Sequence, residues 1–375
     1  MALKILHTAD LHLGMKFIRG YPPDVQEKLV KARAETLHRL VEVANKNNCD
    51  LLVIAGDLFD SQRINKTEIL EAAQIIGRFN GAAALVLPGN HDYLQSGDSR
   101  LWDTFRQNMA ENCLLLADTR ALDLRPHGVD AAVYPAPCST KHSSENMLGW
   151  LDHAVRDPEI RHHFGVAHGS LQGISPDFNS DYFPMNEAEL LEKGLDFWLL
   201  GHTHIRLPLQ ESGSGARIFM PATPEPDGFD CGHSGSAWLL QADDEGKLSY
   251  QAVSSGRYRF LRIQAELNSA EDAGKLLAEF KILKRETHLV KLQLKGRASG
   301  DVFDGLDSLL KQLQQQVLYL ETDASGLLRK ISAEDIGREF TEGSFPFRLL
   351  NRLQEEGRNP LSLQMAYDLV REAKS

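Results

Sequence analysis

Apolar runs and polar clusters alternate along this chain in a way that divides it into a large first part and a smaller second part. Leu3-Lys4-Ile5-Leu6 reads as a short buried strand. Pro22 and Pro23 open a helix with Val25, Leu29, Ala32, Leu37, Leu40 and Ala44 at helical spacing, which stops at Asn47-Asn48. Asp50-Leu51-Leu52-Val53-Ile54-Ala55 predicts a second buried strand. Asn65, with Glu68 three residues on and Ile64 and Ile69 beside it, starts the next helix, and Asn80-Gly81 is its predicted left-handed end. Leu85-Val86-Leu87 is a third strand. Such a βαβαβ succession predicts parallel strands, with any site on the rim at their carboxyl ends.

The stretch 97–161 is less regular, with helices predicted near 101–109 and 145–155 and short strands between. Phe164-Gly165-Val166-Ala167 and Leu195-Asp196-Phe197-Trp198-Leu199-Leu200 predict two further strands. After Ser255 the pattern changes. Leu261, Ile263, Ala265 and Leu267 alternate with polar residues, as do Val290, Leu292 and Leu294; helices carrying Leu276, Leu277, Phe280 and Leu283, then Val302, Leu306, Leu309 and Leu313, lie between these and a strand at 317–320. That is a small βαβαβ domain. From Ile331 three short helices follow, with Ser332 and Asp335 as an N-terminal box and Asn359-Pro360 as a later start. The last two carry Phe347, Leu350 and Leu353, then Leu361, Met365 and Leu369, faces that either pack back or dock a partner. The predicted domains are 1–256, 257–328 and a helical tail, 329–375.

Composition narrows this only modestly. Hydrophobic residues at 42% and charged residues at 25% are the ordinary globular mix. No charged-then-apolar leader and no long apolar run is present, so the chain is expected to be cytoplasmic with no membrane association. Cys49, Cys113, Cys138 and Cys231 form no C-x-x-C pair, which argues against a disulfide framework or zinc knuckle. A net charge of −11 argues against a protein that coats DNA unaided, while leaving room for one whose positive charge comes from metals at a site.

Candidate chemistry sits where the apolar runs end. The first delivers Asp10 and His12, two apart and so on one side of an extended segment. The second delivers Gly56-Asp57, and the third Gly89-Asn90-His91-Asp92. The later two deliver His168-Gly169 and Gly201-His202-Thr203-His204. Each alone is an ordinary polar turn, but eight such residues at five strand ends point to a pair of divalent ions. Histidine and carboxylate without thiolate favour manganese, iron or zinc over calcium. Ions about 3.5–4 Å apart need a bridging carboxylate, for which Asp57 is the candidate. Two such ions against two carboxylates leave a net positive site that attracts a phosphate diester.

The set D-x-H, G-D, G-N-H-D, a strand-end H-G and G-H-x-H resembles the calcineurin-like metallophosphoesterases. The runs His7-Thr8-Ala9-Asp10-Leu11-His12-Leu13-Gly14, Ala55-Gly56-Asp57-Leu58-Phe59-Asp60 and Leu87-Pro88-Gly89-Asn90-His91-Asp92 are similar to those of the SbcD-type DNA double-strand-break repair nucleases. Glu189-Leu190-Leu191-Glu192-Lys193-Gly194-Leu195-Asp196-Phe197-Trp198 is particularly similar to the YhaO-type bacterial branch. The likeness covers roughly the first 240 residues. It implies a four-layer αββα sandwich with a small α/β capping domain and a C-terminal helical tail. One ion would be held by Asp10, His12, Asp57 and His204, the other by Asp57, Asn90, His168 and His202. His91 would assist the leaving oxygen and Asp92 would orient His91. It further implies manganese, hydrolysis at DNA ends (exonuclease, with endonuclease activity), a homodimer, and an SbcC-like, SMC-related ATPase partner; the chain itself has no G-x-x-x-x-G-K-[ST] motif.

Two stretches depart from that pattern. The strand after Gly-His-Thr-His ends Pro221-Ala222-Thr223-Pro224-Glu225-Pro226 where relatives have Pro-Gly-Asn or Pro-Gly-Ser, and an unusual loop from Asp227 to His233 follows. His233 is expected in solvent, and Asp60, where some relatives have histidine, receives no role. His7 and the remaining histidines receive none either. Lys281, Lys284, Arg285, Lys291 and Lys295 make the second part locally basic, a face for phosphates or for solvent. A general phosphodiesterase or phosphatase and a non-catalytic scaffold subunit stay open as alternatives.

Overall fold

The computed structural model describes residues 2–17, 20–94, 100–175, 181–243, 247–356 and 360–374. The chain forms two compact units, Met1–Tyr258 and Arg259–Ser375.

In the first unit, β1 (Leu3–Thr8), α1 (Pro23–Lys46), β2 (Leu51–Ala55), α2 (Lys66–Ile76), β3 (Ala83–Leu87), α3 (Arg100–Asn108) and β4 (Cys113–Leu115) form successive parallel βαβ units. Then come β5 (Leu122–Asp123), β6 (Ala131–Ala136), β7 (His162–His168), α4 (Glu187–Glu192), β8 (Phe197–Gly201), β9 (Arg206–Leu207), β10 (Ser212–Ser214), β11 (Ile218–Pro221), β12 (Ser236–Ala242) and β13 (Leu248–Ser254). Two sheets result, ordered β10-β13-β12-β1-β2-β3-β4 and β5-β6-β7-β8-β11-β9.

The central strands show no alternation because both of their faces are buried. Ile5, Val53, Ala55, Leu85 and Leu87 pack against Val133, Phe164, Val166, Leu199 and Phe219 of the other sheet. Leu6, Leu52, Ile54 and Val86 face Leu37, Leu40, Ile69, Ala72 and Trp102 on the first three helices. On the far side, Tyr134, Trp198 and Leu200 cover Leu148, Leu151 and Leu190. Each fully buried side chain of this size contributes about 1.5–3 kcal/mol. The layers are helix, sheet, sheet, helix, the αββα sandwich. Its consequence for function is that β1, β2 and β3 end on the same side as β7 and β8, although they belong to different sheets.

Several local expectations are corrected. α2 ends at Ile76, not at Asn80-Gly81; tight turns from Gly77 bring Phe79 into the core at 2% exposure, and Gly81 is not left-handed. The helix expected over 145–155 is a single 3₁₀ turn, Gly149–His153. Before it, the Ser143 hydroxyl donates to the Glu145 carbonyl and Asn146 Oδ1 accepts from Leu148 N, local bonds that compete with a helix.

In the second unit, β14 (Arg259–Glu266), α5 (Ala270–Lys281), β15 (His288–Ala298), α6 (Gly300–Asp304), α7 (Leu306–Gln314) and β16 (Tyr319–Arg329) form a three-stranded parallel sheet. Leu276, Phe280, Leu309 and Leu313 cover Val290, Leu292 and Leu294 on one face of it. Lys291 is paired with Glu321 across the strands at 2.5 Å, which neutralises part of the expected basic run. α8 (Ala333–Glu339), α9 (Phe345–Glu356) and α10 (Pro360–Glu372) follow, with the predicted Ser332–Asp335 box in place. Asn359, expected to cap the last helix, lies outside the described residues. α10 packs through Leu363, Ala366, Tyr367 and Val370, next to Leu350 and Ile336, whereas the anticipated face of Leu361, Met365 and Leu369 is more than half exposed. Among the described residues no helix is long and apolar enough to cross a membrane.

Candidate metal centre

The rim where the five strands end collects Asp10, His12, Asp57, Asn90, His168, His202 and His204. Asp10, His12 and His204 place ligand atoms within 4.8 Å of one another, and so do Asp10, Asp57 and His168. Asp10 belongs to both groups, and Asp57 reaches from the second toward the first. Its Oδ2 is 3.3 Å from His168 Nε2 and 3.8 Å from His12 Nε2, while Oδ1 accepts from the His91 amide at 2.8 Å. Asn90 Oδ1 lies 2.9 Å from His168 Nε2 and 3.1 Å from His202 Nδ1. The expected ligand residues are thus spatially adjacent; Asp10 is the residue that both close groups share, and Asp57 lies beside His12 as well as His168.

Local backbone makes this convergence possible. Asp10 and His12 do not reach the site from an extended segment, as their spacing suggested. Both have positive φ, 56° and 45°, and Asp57 (51°) and His202 (96°) do too. Left-handed backbone is costly for residues with a Cβ and is found where surrounding structure imposes it. Here the kinks are pinned by bonds from Asp10 N to Gly56 O, His12 N to Asp57 O and His202 N to the Asp10 carboxylate. Gly56 and Gly89 leave space for the ligands: a Cβ on the first would lie 2.0 Å from His168 Nδ1, and on the second 2.2 Å from Asp57 Oδ1.

The electrostatics fit a cation pair. Asp10 is fully buried, and the His202 amide is the hydrogen-bond donor to its carboxylate; among the described residues no lysine or arginine pairs with it. Burial drives its carboxyl up to about 8, an energetic cost that nearby positive charge would relieve. Burial also pushes Asp57 up, but the His168 ring 3.3 Å away outweighs it and holds Asp57 below the usual carboxylate range. Asp57 in turn raises His168 against its burial, to about 9, a proton that a bound cation would replace. Burial pulls His12 and His204 down and so keeps them neutral, the form that donates a lone pair. His168 Nδ1 lies 2.9 Å from the Ala55 carbonyl, leaving Nε2 to face the cluster. When bound, a divalent pair here supplies Lewis acidity toward a phosphoryl oxygen and toward water.

His91 stands at the mouth, half-buried. Its Nδ1 is 2.9 Å from the Asp60 carbonyl, and its ring lies edge-on to His12 at 4.7 Å. With Nδ1 engaged, Nε2 is the atom available for proton transfer. The expectation that Asp92 orients His91 is corrected: its buried carboxylate accepts from Phe59 N (3.0 Å) and Gly89 N (2.7 Å), tying the loops after β2 and β3 together. The Asp60 carbonyl does the orienting.

Three residues with no assigned role also border the centre. The Asp60 carboxylate is 3.6 Å from His12 Nδ1. The Asp227 carboxylate is 3.4 Å from His204 Nδ1 and 3.9 Å from Arg33, itself 1% exposed and donating to the Leu11 carbonyl at 2.8 Å. Only Asp60 lies in a strand-end motif; the other two could not be read from spacing. His233 places Nε2 3.1 Å from the His204 carbonyl, so it braces that segment instead of standing free in solvent. In the departing stretch, Ala222 adopts a left-handed φ of 62°, and Thr223 donates to the Asp10 carbonyl at 3.1 Å.

Comparisons with known proteins bear on the family. Residues 3–206 match the model of the calcineurin-like phosphoesterase family, a stretch that holds every residue of the ligand set. The chain is 24% identical over 334 residues to a protein of Bacillus subtilis (strain 168) described as the uncharacterized metallophosphoesterase YhaO, covering 84% of this chain and 78% of that one. Among solved structures it is similar to TT1561 of Thermus thermophilus, with a TM-score of 0.37 and 10% identity over 67% of this chain and 98% of that chain. With a matched region longer than half the sequence and two adjacent His/Asp ligand groups inside it, the chain belongs to the calcineurin-like phosphoesterase family, metal-dependent hydrolases that use a divalent metal pair.

Proposed function

We propose that the protein is a manganese-dependent nuclease that hydrolyses phosphodiesters at DNA ends in double-strand-break repair, working as a homodimer with an SbcC-like ATPase. The observation that carries this reading is the cleft beside the ligand residues. It has a volume of about 700 Å³ and is lined by Lys16, Arg63, Tyr21 and Phe17 together with the carboxylates of Asp60, Glu68 and Asp227. Lys16 and Arg63 can meet phosphates and the two aromatic rings can meet bases, a pairing that suits a polymeric phosphodiester better than a small monoester. The outward stripe of α10 (Leu361, Met365 and Leu369) suits a protein partner.

In this reading the chain's own residues divide the work. Asp57 joins the two ligand sets, Asn90 adds coordination without cancelling positive charge, and His91 delivers a proton from Nε2 to the departing oxygen. A general phosphodiesterase is the second reading, favoured by the net charge of −11 and by the Lys291–Glu321 pair. The test is hydrolysis of end-labelled duplex, hairpin and single-stranded DNA with manganese, run beside bis-p-nitrophenyl phosphate and with His91→Ala as control. Degradation of DNA that stops with His91→Ala supports the nuclease. Intact DNA alongside fast turnover of the small diester overturns it in favour of the second reading.

A further inference from the structure

We propose that Asp227 is a positioning residue of the metal centre, setting the His204 ring so that Nε2 faces the ion position shared with Asp10, His12 and Asp57. His204 Nδ1 lies 3.4 Å from Asp227 Oδ2. A carboxylate this close to Nδ1 favours the tautomer that carries its proton there and its lone pair on Nε2, which restrains the ring and strengthens the imidazole as a donor. Asp227 is in turn held by one hydrogen bond and faces one buried positive charge that does not hydrogen-bond to it. Cys231 Sγ donates to Oδ1 at 3.0 Å, and Arg33 Nη2 is 3.9 Å from Oδ2.

The anchoring closes a circuit. Arg33 reaches from α1 and donates through Nη1 to the carbonyl of Leu11, the residue between ligands Asp10 and His12. Two supports of one ion position therefore meet on a single buried guanidinium: the backbone carrying Asp10 and His12 through a hydrogen bond, and the carboxylate behind His204 through charge alone. His168, which serves the other position, is backed by the neutral Ala55 carbonyl at 2.9 Å. Loss of the Asp227 charge should therefore weaken the two positions unequally.

Metal binding is measured without a substrate, so the test is independent of which phosphoester is cleaved. The full-length chain is stripped of metal and titrated with Mn²⁺, following free Mn²⁺ by electron paramagnetic resonance. Asp227→Asn and Asp227→Ala are compared with wild type, with His204→Ala as the reference for complete loss of that ligand. One of the two manganese ions is expected to bind about 10–100-fold more weakly in both variants, with a smaller change at the other. Asp227→Glu should recover part of the loss. Asp227→Asn keeps the shape of the side chain and leaves Arg33 its bond to Leu11, which guards against simple misfolding. Titrations that superimpose on wild type overturn the proposal. So does equal weakening of both positions together with a lower metal-free melting temperature, since that outcome describes a merely structural residue.

Discussion

Acidifying the metal-free protein should expose an energetic cost that His7 places on the fold. His7 lies in β1 with 0% exposure, and neither ring nitrogen has a hydrogen-bonding partner in good geometry. Burial pulls its pKa from 6.5 to about 3, the Leu200 carbonyl offsetting only a little of this. An unfolded chain binds the proton near pH 6.5; the native state refuses it until about pH 3. Across that window the unfolded state holds more protons, so stability falls as pH falls, by about 1.4 kcal/mol for each pH unit. From pH 6.5 to pH 5 this amounts to about 2 kcal/mol, and by pH 3 to about 4–5 kcal/mol. Other groups titrate over the same range, so the quantity to measure is a difference. His7→Leu is close in volume and has no proton to bind. Urea unfolding of wild type and variant in EDTA, at half-unit steps from pH 7 to pH 4.5, gives two stability curves. The gap between them should widen in the variant's favour by about 2 kcal/mol between pH 6.5 and pH 5. Parallel curves would refute the reasoning, because they would mean that native His7 takes up its proton as readily as the unfolded chain does.

Gly56→Ala adds a Cβ 2.0 Å from His168 Nδ1 at a φ of +95°, so it should cost about 3 kcal/mol in urea unfolding and displace one of two manganese ions in titration. Asn90→Ala should weaken metal binding, whereas His91→Ala should keep both ions and lose about 10²–10⁴-fold in turnover of the metal-loaded enzyme; equal loss of metal in both would undo the division of roles. Glu225, 2% exposed, accepts from Thr36 Oγ1 and from the amides of Arg257 and Tyr258 at 2.5–3.0 Å. Glu225→Ala strands those donors and should lower stability by about 3–5 kcal/mol, visible as a drop in urea midpoint at an unchanged slope.

Much of the first unit was legible because its central strands are unbroken apolar runs that end directly in ligand-type residues, so existence, direction and cargo could be read together. Partnership could not. Nothing in the run Phe197-Trp198-Leu199-Leu200 says that it belongs to a different sheet from Leu51–Ala55, or that β12 inserts antiparallel beside β1. Buried runs have no period to reveal a partner. The end of α2 is not legible because Asn80-Gly81 carries the stronger capping signature, while the need to bury Phe79 acts through tertiary packing. On α10 the stripe Leu361, Met365 and Leu369 competes with a second stripe through Leu363, Ala366, Tyr367 and Val370, and periodicity cannot choose between two apolar faces. Residue type marks Asp10 and His12 as ligand candidates, but a two-residue spacing carries no sign of φ and so gives no hint of their left-handed backbone. Asp227 and Arg33 had no local signal at all, because the fold brings them to the centre from a loop and a helix.

The left-handed backbone at Asp10, His12, Asp57 and His202 bears on which ions the centre can accept. Four donors anchored in conformations that the surrounding hydrogen bonds enforce have little freedom to move outward or inward with the size of their guest. Calcium, which seeks more oxygen donors at about 2.3–2.6 Å and tolerates irregular shells, gains little from so stiff a frame rich in nitrogen. Smaller transition ions with a taste for imidazole meet donors already in place. Backbone torsion at these four residues would then act as a gauge of ionic radius for whatever ion they hold.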